Sequence, residues 1–123
     1  KTEGIEVIRK RLEYFSLPEK GLTVSVRKAN IISDDCLSDV SQIVLANIDV
    51  DIYDGVLASL KKVYPKLVPG GAIIIEDAGH HPTLIGARVA LDEFIESLSP
   101  KEHILIQMES GQFIIFKLET MTK

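Results

Sequence analysis

Apolar residues recur along this chain in several distinct rhythms. Over residues 3–16, Ile5, Ile8, Leu12 and Phe15 stand three or four apart, with Arg9, Lys10 and Arg11 between them. That spacing predicts an amphipathic helix, brought to an end by Pro18 and Gly21. Leu22, Val24 and Val26 then alternate with polar residues, which predicts a half-buried strand over residues 22–28. Residues 33–42 are polar and short, a loop or a single helical turn. Residues 43–48 form a nearly continuous apolar run, the pattern of a parallel strand covered on both faces. Val56, Leu57, Leu60, Val63, Tyr64 and Leu67 return to helical spacing, stopped by Pro69-Gly70-Gly71. Residues 72–75 read as a second buried strand, and Leu84, Ala87, Leu91, Phe94 and Leu98 as a third helix closed by Pro100. Two β-rich runs at 103–109 and 112–118 flank Ser110-Gly111, a hairpin pattern.

Helix, strand, strand, helix, strand, helix and hairpin in that order predict an α/β fold. It is a three-layer, Rossmann-like arrangement: a mostly parallel sheet flanked by helices, with an antiparallel strand added at one edge by the terminal hairpin. The 123 residues make a single domain, 1–123, and a composition of 46% hydrophobic and 26% charged residues is that of an ordinary folded protein. The net charge of −4, with basic residues scattered, offers no footprint for nucleic acid or an anionic membrane. No apolar run approaches the roughly 18 residues that span a bilayer, and no signal segment opens the chain. A soluble, cytoplasmic, single-domain protein is therefore expected. One cysteine, Cys36, excludes an internal disulfide and a cysteine zinc cluster.

In open α/β sheets ligands bind beyond the carboxyl ends of the strands. The run at 43–48 is followed by Asp49-Val50-Asp51-Ile52-Tyr53-Asp54, and the run at 72–75 by Glu76-Asp77-Ala78-Gly79-His80-His81. Two strands joined by one crossover helix are neighbours about 4.8 Å apart, so Asp49, Asp51, Glu76 and Asp77 converge on one crevice. Asp49 and Asp51 share a strand face, because side chains alternate with a period of two. Like charges this close need a proton or a cation, and oxygen-only donors suit Mg²⁺, Mn²⁺ or Ca²⁺. A plainer reading stands beside this one: the acidic residues cap helices, with Asp54 as the N-cap of a helix over 55–67. His80 is placed to act as general base or metal ligand, His81 as a loop residue and His103 as a structural one. Tyr53 sits at the crevice, Tyr64 falls in the apolar stripe of its helix, and Cys36 lacks a neighbour that would activate it.

The run IDVDIYDGVLASLKKVYPKLVPGGAIIIEDAGHHP, followed by ARVALDEF, resembles the macrocin O-methyltransferase family, closely so over residues 43–95. These are class I, S-adenosylmethionine-dependent, metal-assisted sugar methyltransferases. The resemblance implies O-methyl transfer to a sugar or other hydroxyl acceptor, with S-adenosyl-L-methionine and Mg²⁺ (or Mn²⁺) as cofactors. Carried over by position, it makes Asp49, Glu76 and Asp77 the metal ligands and Asp51 the general base, with His80 its rival. The family commonly has Asp-Asp where this chain has Glu76-Asp77. Its glycine-rich cofactor turn has no counterpart among the eight glycines here, so the match is to the C-terminal half of the family domain. The cofactor half is expected before Lys1, and an incomplete sheet leaves an edge that invites pairing with a second copy. Two other readings remain open: a non-catalytic methyltransferase-fold remnant acting as an interaction module, and a receiver-like, Mg²⁺-binding signalling domain. The second would use Asp34-Asp35 with Asp49 or Asp51, against a helix-first order and without a suitable lysine after a late strand.

Overall fold

The computed structural model describes residues 3–15, 17–79 and 82–120, and the chain divides into two units, Lys1–Asn30 and Ile31–Lys123. In the first unit the predicted helix forms as α1 (Glu3–Tyr14), followed by a 3-10 turn at Leu17–Lys20. The strand expected over 22–28 does not form: these residues are irregular, and Leu22 and Val24 are exposed. Alternation alone cannot satisfy a strand's backbone, and this unit contains no other strand among its described residues to pair with.

The second unit is built on β1 (Ile43–Ile48), β2 (Leu67–Ile75), β3 (His103–Gln107) and β4 (Phe113–Lys117), with α2 (Tyr53–Val63) and α3 (Ile85–Glu96) between them. The sheet order is β1-β2-β4-β3. β1 and β2 are parallel, and β4 runs antiparallel to both β2 and β3. The hairpin thus forms as predicted, but its antiparallel strand lies inside the sheet and β3 takes the edge. β2 leads through α3 to β3, leaving a gap that β4 fills.

Register sorts the sheet's residues onto two faces. Ile48, Ile75 and Phe113 align across the strands, as do Ala46, Ile73, Ile115 and Leu105. These residues meet Val56, Leu60 and Val63 of α2 and Ala87, Ala90, Leu91 and Phe94 of α3 in one core. Both crossovers step the same way along the sheet, so right-handed connections place both helices on this face. The opposite face presents Leu45, Ala72, Ile74, Ile104, Ile106, Ile114 and Phe116, of which Leu45, Ile104 and Ile106 are exposed. Segment 31–42 forms turns held by two lysines: Lys62 Nζ donates to the carbonyls of Ile31 and Asp34, and Lys66 Nζ to that of Val40.

Two local expectations are corrected. Pro69-Gly70-Gly71 does not stop α2, which ends at Val63 in a 3-10 turn over Tyr64–Lys66; it lies within β2 at a bulge. Gly70 has φ +82°, and a Cβ on Gly71 would lie 2.9 Å from the Val44 carbonyl oxygen, so the bulge requires glycine at both positions. Nor does Asp54 cap α2. Ile52 occupies the N-cap in extended conformation without a side-chain bond, and Asp54 stands in the first turn, where its charge favours the helix dipole.

Candidate functional site

β1 and β2 are adjacent and parallel, so the segments leaving their carboxyl ends emerge side by side. The Glu76 amide donates to the Ile48 carbonyl at 3.0 Å, extending the ladder one residue past β2. Beyond that point the backbones separate and three carboxylates gather. Asp49, Asp51 and Asp77 each bring an oxygen to within 4.8 Å of the others, the first two exposed and Asp77 half-buried. Asp77 Oδ2 is buried without a hydrogen-bond partner. Burial first, and then the charges of Asp51 and Asp49, raise the Asp77 carboxyl above its ordinary value of 3.8.

This donor set fits a hard divalent cation. Three hard oxygen donors within 4.8 Å of one another, one of them on a carboxyl raised above its ordinary value, form the kind of donor set that such a cation takes. Asp49 and Asp77 would hold such an ion, with Asp51 at its side.

Of the residues expected from sequence, the structure brings Asp49, Asp51 and Asp77 together and leaves Glu76 out. The Glu76 carboxylate turns to the β3–β4 hairpin, where Gln112 Nε2 donates to its Oε2 at 2.5 Å. His80 lies outside the described residues, as does His81. Tyr53 is turned to α3, where its hydroxyl donates to Glu93 Oε2 at 2.5 Å. That bond, followed by burial and the nearby charges of Glu93 and Asp54, raises the phenol above its ordinary value. His103 opens β3 with Nδ1 3.0 Å from the Ser99 carbonyl oxygen, consistent with a structural role.

Sequence reasoning passed over Gln112 and Arg88. A cavity of about 250 Å³ is lined by Ala78, the residue after Asp77, with Gly79, Pro82, Leu84, Ile85 and Arg88. The Arg88 guanidinium lies 4.6 Å from the centre of the Phe113 ring, and its Nε contacts both Asp92 carboxylate oxygens at 3.0 and 3.1 Å. The i, i+4 spacing of Arg88 and Asp92 was a legible signal for the pair; the Phe113 contact depends on the sheet register.

The structure is similar to that of the O-methyltransferase NovP, with a TM-score of 0.74 and 18% identity, covering 93% of this chain and 45% of NovP. It is also similar to CalS11, a TDP-rhamnose 3'-O-methyltransferase of calicheamicin biosynthesis, with a TM-score of 0.57 and 18% identity, covering 72% of this chain and 39% of that one. The chain therefore has a methyltransferase-type α/β fold and spans less than half the length of either protein. A search among curated proteins finds no match. The chain belongs to the macrocin-O-methyltransferase (TylF) family, whose profile matches residues 5–107. That membership and the antiparallel β4 speak against the receiver-type reading. No helix among the described residues is long and apolar enough to cross a membrane.

Proposed function

We propose that this chain is the cation- and acceptor-binding part of an O-methyltransferase acting on a hydroxyl of a small molecule, a sugar being the acceptor class its family suggests. The carrying observation is the convergence of Asp49, Asp51 and Asp77, with Asp77 Oδ2 buried and partnerless; a cavity begins at Ala78, the next residue. Mg²⁺ or Mn²⁺, when bound, supplies Lewis-acid polarisation of the acceptor hydroxyl.

The chain's own residues do the rest. Asp49 and Asp77 fix the hydroxyl's position from two adjacent strand ends, whose spacing the β1–β2 ladder sets. Asp51 takes up the hydroxyl proton, and its exposed carboxylate can pass that proton to water. The cavity that begins at Ala78 accommodates the acceptor ring, with Pro82, Leu84 and Ile85 as its apolar wall. S-Adenosylmethionine is the methyl donor this family implies. The described residues contain no glycine-rich turn following a strand.

The test is methyl transfer from labelled S-adenosylmethionine to a panel of sugars and nucleotide sugars by the protein carrying this chain. The expected result is an O-methylated product that requires Mg²⁺, vanishes with EDTA and is lost in Asp51→Asn. Turnover that ignores chelation, or an Asp51→Asn variant with full activity, would overturn the reading.

A further inference from the structure

We propose that Glu76 is a positioning residue for the carboxylate cluster and not one of its cation ligands: through Gln112 it ties the Asp77 loop to the β3–β4 hairpin. The inference rests on the cation reading above and concerns how this chain arranges its own residues toward that ion.

Geometry carries it. In the β2–β4 register Ile75 faces Phe113, so one step further Glu76 faces Gln112 across the antiparallel pair. Directly opposed side chains there are close enough to bond. Gln112 is itself oriented, because Ser110 Oγ donates to its Oε1 at 3.0 Å and leaves Nε2 directed at Glu76 Oε2. The turn beneath is closed by Met108 N to Gln112 O at 2.8 Å and Gly111 N to Met108 O at 2.9 Å. A chain of bonds thus runs from the hairpin tip to Glu76, whose amide is bonded to the end of β1.

The far end of the loop is held by packing. A Cβ on Gly79 would overlap the Gly111 carbonyl oxygen and lie 2.9 Å from the Phe113 ring, so Gly79 presses against the same hairpin. Asp77 is therefore suspended between two anchors, both on the hairpin. Glutamate suits the first anchor because its additional methylene lets the carboxylate reach across to the neighbouring strand. Partners that orient a ligand without touching the ion typically change metal affinity 10–100-fold when removed.

The experiment is Mn²⁺ binding, followed by electron paramagnetic resonance, together with amide hydrogen exchange of the metal-free protein over residues 76–79. The variants are Glu76→Gln, Glu76→Ala, Gln112→Ala and Asp77→Asn, each checked for folding by circular dichroism. Glu76→Gln keeps an acceptor for Gln112 and removes the charge. It should bind Mn²⁺ within about threefold of wild type, whereas Glu76→Ala and Gln112→Ala weaken binding about tenfold or more. Exchange over 76–79 should quicken in both alanine variants and stay unchanged in Glu76→Gln. A Glu76→Gln variant that binds as poorly as Asp77→Asn would make Glu76 a ligand and overturn the inference while the cation reading survives. Unchanged exchange in Gln112→Ala would overturn the brace whatever the metal does. Wild-type protein that binds no Mn²⁺ would overturn the cation reading and this inference with it.

Discussion

The helix-covered face of the sheet and the carboxyl ends of β1 and β2 are consecutive in sequence yet obey opposite rules. On the face, Ile73, Ile75 and Ile115 are fully buried against Leu60, Val56 and Leu91, and every neighbour lowers the free energy of the next through dispersion and exclusion of water. Two residues past Ile75, Asp77 holds a buried oxygen that nothing satisfies, beside two like charges. The first region stabilises the fold; the second is an electrostatic load that the first sustains. Such a load would not persist in a loop free to relax. Here the backbone cannot move apart, because the β1–β2 ladder and the hairpin contacts hold it.

The largest separation of the two regions should come from Leu60→Ala. Leu60 is completely buried at the contact of α2 with the sheet and α3, and a cavity there costs about 2–5 kcal/mol. Thermal unfolding should shift down by roughly 10 °C or more for a domain of this size. Mn²⁺ affinity per folded molecule should stay at the wild-type value, since Leu60 sits in the apolar core while the carboxylates lie past the strand ends. Loss of affinity in folded protein would mean the site draws its geometry from the core and not from the strand ends.

Asp77→Asn should act in the opposite direction. Removing the charge relieves the repulsion with Asp49 and Asp51, so the metal-free variant should unfold a few degrees above wild type, while Mn²⁺ binding is lost. The sign with pH follows from the raised carboxyl. The fold favours protonated Asp77, so its stability is undiminished below the ordinary carboxylate value and is eroded as pH rises through the raised one. The gap between the variant and wild type should therefore be widest at neutral pH and narrow as pH falls into the carboxylate range. Melting curves from pH 7 down to 4 decide this. A gap that grows on acidification would show that Asp77 is stabilised as the anion.

This contrast also explains which parts of the molecule could be read from its sequence. β1, α3 and the hairpin follow from local patterns: an unbroken apolar run, apolar residues three and four apart, and a Ser-Gly turn between β-rich segments. The approach of Asp49 and Asp51 to Asp77 follows from a single crossover joining adjacent strands, but both lie beyond the end of β1 at Ile48, so the period of a strand does not explain why they share a side. The separation of Glu76 from that group was not legible. It depends on β4 lying beside β2, a contact between residues 36 apart that no local pattern encodes. The alternation at 22–28 misled for the same reason in reverse, since a strand exists only where another accepts its hydrogen bonds. Pro69-Gly70-Gly71 misled because a helix stop and a strand bulge draw on the same freedom of glycine.

Arg88 joins the two regions, and its removal should give the smallest effect of the three. Its guanidinium stacks on Phe113, which belongs to the buried face, while the same side chain lines the cavity that begins at Ala78. The stacking contributes about 0.5–1 kcal/mol at a partly exposed position. The pair with Asp92 adds a few tenths of a kcal/mol, since both side chains are near half exposed. Arg88→Ala should therefore cost about 1 kcal/mol in chemical denaturation, with the Asp92 part of that loss disappearing at high salt. The salt-resistant remainder measures the stacking, which Arg88→Lys should retain only in part because an ammonium lacks the planar face. Mn²⁺ affinity should not change in either variant, because the guanidinium charge is already matched by Asp92 and its ring contact fixes it to the core side. A rise in Mn²⁺ affinity on removing Arg88 would mean that its charge reaches the carboxylates, and the boundary between the stabilising region and the site would then run through Phe113 and not beside it.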